Sequence, residues 1–206
     1  MKLVIYPNYL PNIIFFSILS NYQEVIWYIH GKYQKQTYRN RTKIYGPNGV
    51  LDLIVPIIKP QNDFKKDFSI ITCNQENWKK KHWNSIENSY SSSPFFEYYK
   101  DELYTFFFEK KDILIDFNLN LIRLMLEWLN IKLNFSNSLK EIKQKEFEKN
   151  LILCKKNIHL NFPKYTQVFN YKNGFIENLN ILDLIFNLGP ESSSYLKNLP
   201  TSSLKI

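Results

Sequence analysis

Apolar and polar positions repeat along this chain with a changing period, and each change marks an element. Residues 2–5 form a short apolar run of β type, and Pro7 and Pro11 punctuate the loop after it. Pro11 suits the first turn of a helix, where its missing N–H costs nothing, so a helix is expected over residues 11–20. Residues 24–29, rich in β-branched and aromatic side chains, read as the next strand. Strand, helix and strand in so short a stretch predict a parallel βαβ unit. Two further strands flank Gly46-Pro47-Asn48-Gly49, a strong turn signal. The second of them, residues 50–57, is apolar at Leu51, Leu53 and Val55 and stops at Pro56.

Beyond residue 73 the period is mainly helical. Asn74 is a candidate cap for a helix reaching Tyr90, with Glu76 well placed for the macrodipole. Ser93-Pro94 opens a helix to Glu109, with Glu97 in its first turn. A third is expected over 116–129, capped by Asp116. Its Phe117, Leu121, Leu124, Met125 and Trp128 make one apolar face, and Leu119, Ile122, Leu126 and Leu129 a second, which predicts a central position. Residues 131–135 read as a strand and 140–149 as a charged, solvated segment. The last patterned helix, 178–187, is closed by Gly189-Pro190, and residues 191–197 add a turn. The expectation is one compact α/β domain over residues 1–199: a mostly parallel N-terminal sheet, a β-hairpin and a helix-rich second half. Residues 200–206 are expected to be a flexible tail.

Length agrees with one domain, since 206 residues can bury a full core. The net charge of +8 changes the picture less than its size suggests. The chain has no alanine, and 24 of its 27 cationic side chains are lysine, residues written with A/T-rich codons. Lysine enrichment in an A/T-rich genome accounts for much of the excess, so no nucleic-acid partner is expected; that reading would need basic and aromatic side chains spread over one face. The longest mainly apolar stretches, such as residues 13–18, fall far short of the roughly 20 residues of a membrane span. No signal-peptide pattern opens the chain, and Cys73 and Cys154 form neither a CxxC motif nor a disulfide framework. A cytoplasmic, reduced protein is expected, without cofactor or metal.

The segment richest in chemistry is Lys32 to Lys43. It holds Lys32, Lys35, Arg39, Arg41 and Lys43 with no acid between Glu24 and Asp52, and two of the chain's three arginines flank Asn40. In a protein that uses Lys for other cations, Arg marks places that need a planar, bidentate fork. One reading is a site gripping a phosphate, pyrophosphate or carboxylate. The other is a scaffold in which Arg39 and Arg41 pair with structural carboxylates such as Asp183. Strand alternation would place the two arginines on one face and Asn40 on the other. His82 shares a helix face with Trp78 and Ile86 and is either a general base or an interior imidazole held by hydrogen bonds. Asn180, Asp183 and Asn187 form a narrow polar stripe, either a solvent face or the wall of a cleft opposite the arginines. His30 lies beside the basic segment and could help bind an anion; His159 looks incidental, and no spacing links Cys73 to a base.

These same residues carry a resemblance. Tyr6-Pro-Asn-Tyr-Leu-Pro11, Tyr33-Gln-Lys-Gln-Thr-Tyr-Arg-Asn-Arg41 and Gly46-Pro-Asn-Gly-Val-Leu-Asp-Leu-Ile-Val-Pro56 resemble the WbqC-like family in order and spacing. So do Trp78-x3-His82, Pro94-Phe-Phe and the run from Gln167-Val-Phe through Gly174 to Gly189-Pro190. The family's members occur in clusters for O-antigen and other surface polysaccharides, with glycine or aminoacyl transfer suggested. Carried onto this chain, its motif residues are Tyr6, Tyr9, Gln34, Lys35, Arg39, Asn40, Arg41, His82, Asn178 and Asp183. The resemblance implies an acyl- or aminoacyl-type transferase acting on an anionic sugar precursor. Arg39, Arg41 and Lys35 would hold the anion, with Tyr6, Tyr9 and Gln34 also at the substrate. Asn40 and Asn178 would orient it, and His82 or Asp183 would take the proton. The alternative is a non-catalytic binding or assembly protein whose Arg-Asn-Arg segment and Asp183 knit its own core.

Overall fold

The computed structural model describes residues 2–31, 33–58, 69–73, 77–138, 140, 151–153, 158, 160–201 and 204. Strand β1 (Lys2–Ile5) leads through helix α1 (Ile13–Ser20) into β2 (Glu24–Trp27). β2 pairs in parallel with β1 on one side and with β5 (Asn134–Asn137) on the other, giving the order β1-β2-β5. The expected βαβ unit is present. Its register sets Leu3 beside Val25 and Ile5 beside Trp27, so one row of four apolar side chains faces the interior. α1 covers that row and is itself buried from Ile13 to Leu19; Phe15 stacks on Trp27 at 6.4 Å with the rings 7° from parallel.

β3 (Arg41–Gly46) and β4 (Gly49–Ile54) form the antiparallel hairpin. Pro47 and Asn48 make the two-residue connection, and Gly49 takes φ 101°, where a side chain would strain. Three long helices follow: α2 (Trp78–Tyr90), α3 (Phe96–Phe108) and α4 (Leu114–Trp128). After the short α5 (Asn170–Asn173) come α6 (Ile181–Leu188), a 3-10 turn (Gly189–Glu191) and α7 (Ser192–Asn198). α7 and the residues after it pack on α1, where the Ser17 hydroxyl donates to the Leu196 carbonyl at 2.8 Å.

Several boundaries differ from the sequence reading, each for a local reason. α1 starts at Ile13 because Asn12 caps it, accepting from the Phe15 N–H at 3.0 Å and leaving Pro11 outside. The strand expected at residues 131–135 starts at Asn134. α4 closes on a Schellman turn, with Asn130 at φ 50° and the Ile131 N–H reaching the Leu126 carbonyl at 2.9 Å, which uses up residues 130–131. Ser93-Pro94 lies in a turn bonded to Tyr90 and α3 opens only at Phe96, while Asp116 is not a cap but sits in the first turn of α4. Thr201, in the stretch expected as a tail, is buried and bonded to Ser17 and Asn21. The Asn74 cap, Cys154, His159 and residues 141–149 lie outside the described residues.

Candidate functional site

All three parallel strands end at one place, and the basic segment leaves from it. At the carboxyl end of β1, the Ile5 carbonyl accepts from the Tyr28 N–H at 2.9 Å, and Tyr6 meets Tyr28 edge to face at 5.0 Å. At the end of β5, Ser138 donates its N–H to the Trp27 carbonyl and accepts the Ile29 N–H on its hydroxyl. The chain then passes through His30 and Gly31 into the segment that carries Lys35, Arg39 and Arg41. Arg39 folds back so that its guanidinium carbon lies 4.0 Å from the centre of the Tyr6 ring. Ligands of open α/β sheets gather outside the carboxyl ends of the strands, which is where this arginine–tyrosine pair sits.

The expected site residues separate into two populations. Gln34 and Lys35 are exposed and Arg41 is half-buried, while Tyr6, Arg39 and Asn40 are buried. Arg39 and Asn40 occupy a turn, and the strand begins only at Arg41, so simple alternation does not decide their faces. Asn40 extends the hairpin ladder by one pair: it donates from its side-chain amide to the Val55 carbonyl at 2.9 Å and accepts the Val55 N–H at 2.7 Å. Beneath Arg39, a recess lined by Tyr6, Tyr33, Leu114 and Asn118 leaves about 10 Å³ for the centre of a water molecule. That is room for one water and no larger ligand.

Asn118 is the residue the sequence reading missed. Both hydrogens of its side-chain amide are spent, one on the Pro7 carbonyl at 2.9 Å and one on the Arg39 carbonyl at 2.8 Å. It therefore ties the loop after β1 to the arginine turn, assisted by the Thr42 hydroxyl on the Leu10 carbonyl and the Tyr9 N–H on the Tyr38 carbonyl. The signal was present in the sequence: an amide set between Phe117 and Leu119, one from each apolar face of α4.

His82 is buried, with Tyr9 at its Nδ1 at 2.9 Å and the Ile54 carbonyl as a second hydrogen-bond partner. This pattern assigns the proton to Nε2, with the Tyr9 hydroxyl donating to Nδ1. Burial drives His82 from its ordinary 6.5 down to about 4, outweighing the Ile54 carbonyl, which favours the charged form. Burial also raises the Tyr9 hydroxyl well above its ordinary value, so the pair is neutral at pH 7. Trp78 and Phe117 close around it.

Asp183 faces neither solvent nor a cleft, and neither arginine pairs with it. The stripe of Asn180, Asp183 and Asn187 is buried, because α6 is buried along nearly its whole length. One carboxylate oxygen of Asp183 accepts from the Tyr165 hydroxyl at 2.6 Å and from the Gln167 amide at 2.9 Å. Burial raises its pKa from 3.8 to about 6 against the pull of Tyr165, Gln167 and Tyr90, which favour the ion. Asn180 caps α6, and Asn178, at φ 53°, accepts the Ile14 N–H at 3.1 Å at the start of α1. The loop after β1, the arginine turn and the start of α6 do converge, through main-chain bonds from Ile181 to Pro11 and from Asn180 to Lys43. They meet in the interior.

Among the described residues, no group of three or more His, Cys, Asp and Glu side chains is placed to hold a metal ion, and no helix is long and apolar enough to cross a membrane. The chain is similar to the uncharacterized protein Rv1507c of Mycobacterium tuberculosis, 24% identical over 223 residues that cover 94% of this chain and 96% of that protein. No solved structure matches it. The profile of the WbqC-like protein family matches residues 6–157, which include the loop after β1, the Arg-Asn-Arg turn, the hairpin, His82 and Asn118. The chain belongs to the WbqC-like protein family.

Proposed function

We propose that this WbqC-like protein binds an anionic sugar precursor in surface-polysaccharide assembly, at the carboxyl ends of its parallel strands. The reading rests on Arg39, held over Tyr6 at 4.0 Å in that position. A guanidinium fixed by an aromatic ring loses little freedom when a carboxylate or phosphate arrives. Lys35 and Gln34, exposed on the same segment, supply charge and hydrogen bonds from the solvent side. Because the recess beneath Arg39 admits only a water, the ligand lies on the outer side of this segment.

His82 and Asp183 are positioning residues in this reading. A base in group transfer must reach the substrate's proton. The Nδ1 of His82 is taken up by Tyr9, and the fully enclosed Asp183 carboxylate is taken up by Tyr165 and Gln167. Tyr9, Asn40 and Asn178 likewise hold the frame that aims Arg39. The family's link to polysaccharide gene clusters supplies the sugar context.

Thermal shift with UDP-glucose, UDP-galactose and UMP, followed by mass spectrometry with a glycyl donor added, tests the proposal. Saturating ligand at about 100 times Kd adds about 2.7 kcal/mol, a rise of several degrees. The shift should fall in Arg39→Gln and in Lys35→Gln, whose exposed side chain leaves the fold intact. No shift with any probe would overturn the reading. A glycyl-transfer product that disappears in a folded His82→Gln variant would replace it with aminoacyl transfer.

A further inference from the structure

A cavity larger than the recess beneath Arg39 lies away from the arginine turn. It lies at the opposite ends of the parallel strands, where α4 runs out toward β5, and encloses about 470 Å³, within the range of about 300–1,000 Å³ typical of small-molecule sites. Its floor is apolar: Leu126, Ile131 and Leu133. The chain's third arginine, Arg123, stands on its wall with its guanidinium carbon 5.1 Å from the centre of the Phe135 ring. Phe135 is 41% exposed on the edge strand β5. Gln23, Glu127 and Asn134 complete the polar rim, with Lys132 beside them. No carboxylate among the described residues lies within ion-pair distance of Arg123.

The chemistry of this rim selects among ligands. A phosphate would meet the carbonyl end of α4 and the carboxylate of Glu127, both unfavourable to an anion. The rim instead alternates planar donors and acceptors: the Arg123 fork, the amides of Gln23 and Asn134 and the carboxylate of Glu127. That alternation suits vicinal hydroxyl groups, each of which donates and accepts. The exposed Phe135 ring and aliphatic floor suit the C–H face of a pyranose. We infer that this recess is a saccharide-binding subsite that takes a neutral pyranose ring against Phe135, with Arg123, Glu127, Gln23 and Asn134 on its hydroxyls. The subsite is independent of the arginine turn, since a neutral sugar gives Arg39 no anion to hold.

Saturation-transfer difference NMR on the full chain tests this with D-glucose, D-galactose, N-acetyl-D-glucosamine and L-rhamnose, and sodium phosphate as the anion arm. At least one sugar should show saturated ring protons with a millimolar Kd. Phe135→Ala and Arg123→Gln, both at exposed side chains, should each weaken it about fivefold, the loss of about 1 kcal/mol of stacking or bidentate bonding. If one variant shifts the melting curve, the other decides. Binding of none of the four sugars overturns the assignment, as does binding unchanged in both variants. Phosphate that competes the sugar off would make the recess an anion site and overturn it equally.

Discussion

Two buried titratable groups in this fold pull the pH dependence of stability in opposite directions, and removing either should expose the other. Asp183 titrates near 6 when folded and 3.8 when exposed. Between those values the folded state binds the extra proton, so stability is full below about 4 and lost as pH rises through 6. His82 titrates near 4 when folded and 6.5 when exposed. There the unfolded state binds the extra proton, so stability is full above 6.5 and lost as pH falls toward 4. Each window is about two pH units wide, and at about 1.4 kcal/mol per unit each group contributes about 3 kcal/mol, with opposite sign. In the native chain the two nearly cancel. Urea unfolding at pH 7 and pH 4 should therefore show Asp183→Asn losing about 3 kcal/mol more on acidification than the native protein, and His82→Gln losing about 3 kcal/mol less. Other carboxylates act alike in all three proteins, so the comparison isolates the pair. If Asp183→Asn and the native protein respond identically to acid, the Asp183 carboxyl is not carrying its proton in the fold, and the reasoning fails.

Two more substitutions probe the frame. In Gly189→Ala the new methyl would stand 2.6 Å from carbons of the Phe95 ring at φ 53°, so a loss of about 2–4 kcal/mol in chemical denaturation is expected. Asn118→Ala strands the Pro7 and Arg39 carbonyls in the interior and should cost about 2–4 kcal/mol, with a fall in melting temperature of about 5–15 °C.

Much of the fold was legible because its signals are local. The β-branched run at β2, the Gly-Pro-Asn-Gly turn and the two apolar faces of α4 each decide an element within a few residues. Helix starts were misplaced where the deciding contact was a side-chain cap one or two positions away, as at Asn12 and Asn180, and the start of β5 where Asn130 at φ 50° turned the chain. The candidate site was less legible. Periodicity places Asp183 on a polar stripe, but its partners Tyr165 and Gln167 come from an irregular stretch with no pattern to announce them. Arg39 and Tyr6 lie 33 positions apart, and their contact depends on the turn that Asn118 holds in place. The Arg123 recess escaped because its side chains come from the end of a helix, the connection after it, one strand and the residue before another.

The bonds that join residues 178–181 to Pro11, Ile13 and Lys43 also govern when this protein can fold. α1 has no polar face, and its cover is completed by α6 and α7 from the far end of the chain. During synthesis β1, α1 and β2 emerge first, yet β2 waits for β5 and α1 waits for the last two helices. Such distant closures make folding slow and leave apolar surface open until α6 and α7 have emerged. A ribosome carrying most of this chain holds an unprotected apolar helix, and its safekeeping falls to whatever chaperone is at the tunnel exit.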